Sequence, residues 1–149
     1  MNKLSRFKLI GRLVNNKTNI AAKDLADSIT KLFKKQKKIE ELQHIAVEYK
    51  VQLTNTNLQM SSVQFKQYHR FMDYLELIIK EQIAVIPILK REVEKKRLIW
   101  VQCYKQNKGL KNYIEKVEAQ VVVEKLKKEQ NEVDSTVTDS FFYKNDAGD

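Results

Sequence analysis

The sequence predicts an all-α fold, a long two-helix antiparallel coiled-coil hairpin with a disordered C-terminal tail, and three observations predict it. Gly occurs three times and Pro once in 149 residues, so the turn punctuation of a sandwich, a barrel or a βαβ plan is lacking. From Phe65 onward apolar residues keep one unbroken 3.5-residue period, the spacing that makes a seam between helices. Before it lies Thr54-Asn55-Thr56-Asn57-Leu58-Gln59-Met60-Ser61-Ser62, rich in short polar side chains that compete with a helix for backbone hydrogen bonds.

The second helix is the more regular. One seam series reads Phe65, Met72, Ile79, Ile86, Val93, Trp100, Asn107, Ile114, Val121, and the other Tyr68, Leu75, Gln82, Leu89, Lys96, Cys103, Leu110, Val117, Glu124. Fourteen of these eighteen are apolar, where a chain of 42% hydrophobic residues gives about eight by chance. In the first helix Leu25, Leu32, Ile39, Ala46 and Leu53 form one apolar series. The companion series starts at Ile29 and drifts through Gln36 and Gln43, with Leu42 and Tyr49 taking over, so the stripe is expected to shift around the helix. Ser61 with Gln64 three residues later reads as a capping box opening the second helix.

The expected boundaries are a hairpin over 1–134, with helix one at about 5–54, the tip at 55–61 and helix two at about 62–134, followed by a flexible tail over 135–149. A tip this short forces antiparallel neighbours. It is expected to set Leu53 near Phe65, Ala46 near Met72, Ile39 near Ile79 and Leu25 near Val93. Pro87 removes a helical hydrogen bond and predicts a bend or a loosening, and Gly109 weakens the helix near Asn107. After Asp134 the period is lost, and Phe141-Phe142-Tyr143 reads as a frayed end or a short docking motif.

Composition excludes more than it selects. A single cysteine, Cys103, allows no intramolecular disulfide framework and reads as a small core residue. The longest apolar run, Ile83 to Leu89, falls far short of the roughly 20 residues of a membrane span. Met1 to Val14 scatters Lys3, Arg6, Lys8 and Arg12 through its apolar residues and predicts no signal peptide, so a cytoplasmic protein is expected.

The net charge of +9 is polarised: residues 1–40 hold eleven Lys or Arg against three acids, and the tail after Gln130 holds five acids against Lys144. The basic runs Lys34-Lys35-Gln36-Lys37-Lys38 and Lys90 to Arg97 are candidates for a polyanion. No aromatic side chains interleave with them, and Glu92 lies four residues before Lys96 as on a self-supporting solvated face, so no nucleic-acid partner is expected. His44 and His69 stand on separate helices without a ligand grouping, and the three glycines form no phosphate loop. No enzyme, metal site or cofactor is predicted.

One feature of helix two exceeds what a two-stranded coil needs. Phe71, Ile78 and Val85 form a flanking apolar series beside Leu75, and this surface either packs over helix one or forms a protein-docking patch.

The basic first helix, Glu48-Tyr49-Lys50-Val51-Gln52-Leu53 before the tip, Ser62 with Tyr68-His69-Arg70-Phe71 after it, Trp100 on the late seam and Gln130-Asn131-Glu132-Val133-Asp134 near the end together resemble the FliJ family, the coiled-coil stalk of flagellar and type III export. The resemblance covers about 130 residues. It implies a hairpin similar to the rotor stalk of rotary ATPases, with its joined termini in the central hole of a hexameric export ATPase, monomeric when alone and peripheral to the inner membrane through its partners. Those partners would be the ATPase, the export gate's cytoplasmic domain and export chaperones. The gate-contacting face maps onto Phe71, Leu75, Ile78 and Gln82, and the ATPase-ring contacts onto Arg6, Lys8 and Arg12. Ile78 and Gln82 depart from the Ala and His of other members, and the family's terminal acidic pair is Asp134-Ser135 here. The alternative from another class is a generic coiled-coil scaffold or dimerising module.

Overall fold

The computed structural model describes residues 2–56 and 59–146, with side chains through Phe142. Asn57 and Leu58 of the expected tip lie outside them. The described residues form two helices, α1 (Lys3–Thr56) and α2 (Ser62–Asp146), and no strand. Each start is capped by side chains that satisfy orphan amide groups. The Ser5 amide donates to Asn2 Oδ1 at 2.8 Å. At α2 the predicted box is reciprocal: the Gln64 amide donates to Ser61 Oγ at 3.2 Å and the Ser61 amide to Gln64 Oε1 at 3.1 Å.

On α2 every predicted seam position from Tyr68 to Val117 is sheltered from solvent, while the outer members Phe65, Val121 and Glu124 are exposed. Phe65, expected near Leu53, is stacked edge-on with His69, ring centroids 4.3 Å apart.

The expected shift of the α1 stripe does not occur. Phe7, Val14, Ala21, Ser28, Lys35 and Leu42 are all sheltered, in constant step with the Leu25 series, and Ile29 and Gln43 are exposed. Hydropathy misses this second series because Ser28 and Lys35 sit in it. The Ser28 hydroxyl donates to the Leu25 carbonyl at 2.7 Å, and Lys35 Nζ donates to Gln82 Oε1 at 2.8 Å, so neither is left unpaired in the seam.

By packing, the chain divides into one unit of residues 18–103 and another of residues 1–17 with 104–149. In the first, Ala46 packs with Met72 and Leu75, flanked by Leu42, Tyr68 and Ile79, so the expected neighbour pair Ala46 and Met72 is present. Ile39, Leu89 and Cys103 are also buried, and Thr18 Oγ1 donates to the Cys103 carbonyl at 3.2 Å. Lys50 and Glu76 pair across the flank at 3.7 Å. In the second unit Phe7 meets Tyr113 edge-on at 5.1 Å, Lys8 pairs with Glu118 at 3.0 Å, and Asn107 Nδ2 donates to Asn15 Oδ1 at 3.1 Å. Gly11 sits so close to Ile114 that a Cβ there would meet Ile114 Cδ1 at 3.1 Å.

α2 runs on to Asp146, past the Asp134 boundary after which the sequence predicts disorder. Loss of the seam shows instead as packing: every residue from 119 to 142 is exposed. Local bonds such as Thr136 Oγ1 to the Glu132 carbonyl, 2.8 Å, close on the helix itself. α2 also continues through Pro87, an exposed residue whose ring deprives the Ile83 carbonyl of its helical donor.

Two exposed helix breakers therefore cost stability with no packing in return. Pro87→Ala is expected to raise the unfolding free energy by up to about 3 kcal/mol and Gly109→Ala by about 1 kcal/mol. A Cβ at Gly109 meets nothing within 4 Å. Gly11→Ala should gain less than Gly109→Ala because Ile114 must give way. Thermal melts followed by circular dichroism check all three.

Candidate functional site

The residues singled out by the resemblance fall into two groups, one in each packing unit. Around Phe71, Tyr49 of α1 lies with its ring 4.7 Å from the Phe71 ring and 6.0 Å from that of Tyr68. Phe71 is 40% exposed, and Tyr74, three residues on along the same flank, is 62% exposed. Ile78 and Val85 are half-buried, so the wide stripe packs partly over α1 and partly faces solvent.

The four gate-face candidates are not equivalent. Leu75, 5% exposed, belongs to the Ala46 core, and Gln82 accepts the Lys35 hydrogen bond across the seam. Phe71 and the outer edge of Ile78 are what this face presents, with Tyr74 and Leu77 beside them. Tyr74 was missed by the sequence because it lies outside every seam series; its signal is the three- and four-residue spacing to Phe71 and Ile78.

Tyr68 anchors this region. Its hydroxyl is buried with no hydrogen-bond partner among the described residues. Burial first, and the neighbouring Tyr49 second, push its pKa above the ordinary tyrosine value.

The second group lies at the basic end. Lys8 and Arg12, one turn apart on α1, line a groove with Gly11, Asn15, Lys111 and Ile114. Lys8 is drawn to Glu118, while Arg12 and Arg6 are exposed. Arg6 precedes Lys8 by two residues, about 200° around the helix, and so does not join the groove. The groove can hold an anionic side chain between Lys8, Arg12 and Lys111.

No group of three potential metal ligands occurs among the described residues. His44 pairs with Glu48 at 3.0 Å on an exposed flank, and His69 stacks on Phe65. In the basic run 90–97, Arg97 makes a two-pronged contact with Glu94 at 2.7 and 2.9 Å, and Lys96 lies 3.9 Å from Glu92. Local pairing thus takes up part of that charge. No described helix is long and apolar enough to cross a membrane.

A family model described as the flagellar FliJ protein matches residues 2–146. The chain belongs to the FliJ family. Membership makes it a component of the flagellar export apparatus. Comparison with curated proteins and with solved structures finds no match.

Two predictions follow from the surroundings of Phe71. Leu75→Ala is expected to cost about 2–5 kcal/mol of stability by opening a cavity, whereas Phe71→Ala costs less because that residue is already partly exposed; urea melts separate them. For Tyr68 the folded state holds its proton more tightly than the unfolded chain. The resulting stability is full below the ordinary pKa of about 10 and is lost as pH rises through the higher folded value. Tyr68→Phe should flatten this alkaline loss without destabilising the protein at neutral pH, and alkaline unfolding by circular dichroism measures it.

Proposed function

We propose that this chain is the non-catalytic stalk of the export apparatus, promoting assembly and activity of the hexameric export ATPase and contacting the export gate's cytoplasmic domain. It also escorts export chaperones. The observation that carries the proposal is the family match over residues 2–146. Two surfaces support the division of labour. The groove of Lys8, Arg12 and Lys111 suits acidic loops inside a ring, and charge of this kind steers association more than it adds affinity. The exposed aromatic edge at Phe71 and Tyr74 suits an apolar patch on the gate, whose export-competent state it would bias by binding that state more tightly. The stalk would work in the cytoplasm, held at the inner membrane by its partners.

Hydrolysis of ATP by the export ATPase of the same cell, with and without the purified chain, tests this. Stimulation accompanied by ring formation is expected. Lys8→Glu with Arg12→Glu should remove the stimulation, and Phe71→Ala should keep it while weakening capture of the gate domain. Absence of both stimulation and binding would return the chain to the role of a coiled-coil scaffold.

A further inference from the structure

The two packing units bury very different side chains. All the buried apolar residues, from Ala21 to Cys103, lie in the unit of residues 18–103. Among the described residues of the other unit the one buried side chain is polar: Asn107, 7% exposed. Asn107 donates to Asn15 but leaves its own Oδ1 buried without a hydrogen-bond partner, and an unpaired buried acceptor favours any conformation in which water reaches it. Around this polar layer the helices are joined by the Phe7 and Tyr113 rings and by the Lys8–Glu118 ion pair. That pair lies at the surface, where such contacts contribute little. Gly11 and Gly109, two of the chain's three glycines, fall in the same section and weaken both of its helices.

Local stability follows buried apolar contact. We propose that residues 3–17 and 104–118 open from one another as a unit of their own while residues 18–103 stay folded, and that an anionic partner closes them. The opening is carried by the distribution of burial and by the unpaired acceptor. The closing rests on the reading of the Lys8 groove as a site for acidic loops. Lys8, Arg12 and Asn15 of α1 and Lys111 and Ile114 of α2 line that groove, so opening takes it apart. A ligand that binds only the closed form stabilises it, and by reciprocity closure strengthens the hold on the ligand. A carboxylate-rich loop seated between Lys8, Arg12 and Lys111 therefore stiffens the section of the hairpin that holds it.

Hydrogen exchange of the full chain, read by mass spectrometry of its fragments, tests both halves. Amides of residues 6–17 and 104–118 are expected to exchange at least about tenfold faster than those of 21–53 and 66–103. Phe7→Ala should speed exchange at 104–118 as well as on α1, because the two sides open together; fraying from the start of α1 would leave 104–118 unchanged. Asn15→Leu with Asn107→Leu should slow both sides and leave 21–53 and 66–103 as they were. A polyglutamate peptide at ten times its measured Kd should slow both sides about tenfold, and Lys8→Glu with Arg12→Glu should remove that protection. Equal protection along the whole hairpin, or a Phe7→Ala effect confined to α1, overturns the separate opening. Opening that polyglutamate does not slow overturns the closing half, and with it the acidic-loop reading of the groove, while the opening itself stands.

Discussion

In each packing unit two helices meet along a seam, and the side chains most removed from water lie on it. Small residues on α1 make the contact close. Gly11 lets the backbone of α1 approach the bulkier Ile114 of α2, and Ala46 packs with Met72 and Leu75, gaining dispersion contacts that a pair of large side chains would hold apart. Such a core is thin. Among the described residues no side chain is fully buried. Thr18, Ser28 and Asn107 sit in the seam and each makes a hydrogen bond there, while Asn107 Oδ1 is buried with no partner among the described residues.

Polar members in an apolar seam cost stability and confer register. The Asn15 and Asn107 pair, Thr18 with the Cys103 carbonyl, and Lys35 with Gln82 each match one position of α1 to one of α2. A heptad slip would break these hydrogen bonds in the sheltered seam, which is more costly than never having made them. Register also sets the two candidate surfaces: sliding either helix would move Phe71 relative to Tyr49 and Arg12 relative to Lys111.

The heptad of α2 and the capping box at Ser61 were legible because each follows from short-range chemistry. So was the wide stripe at Phe71. Hydropathy could not show that α1 keeps the same period, because at Ser28 and Lys35 the seam is satisfied by hydrogen bonds rather than by apolar area. The inequality of the four gate-face candidates lay in the same heptad, which sets Leu75 and Gln82 in the seam and leaves Phe71 and Ile78 on its flank. The loss of the seam period toward the C-terminus was legible too, and every residue from 119 to 142 is exposed.

Disulfide trapping across the seam tests the register most directly. In a Cys103→Ala background, cysteines at Ala46 and Leu75, which share one core cluster, should close rapidly into an intramolecular disulfide without loss of helicity. Cysteines at Ala46 and Gln82, one heptad further on, should not. Efficient closure of the second pair, or failure of the first, would contradict a single fixed register and with it the placement of both candidate surfaces.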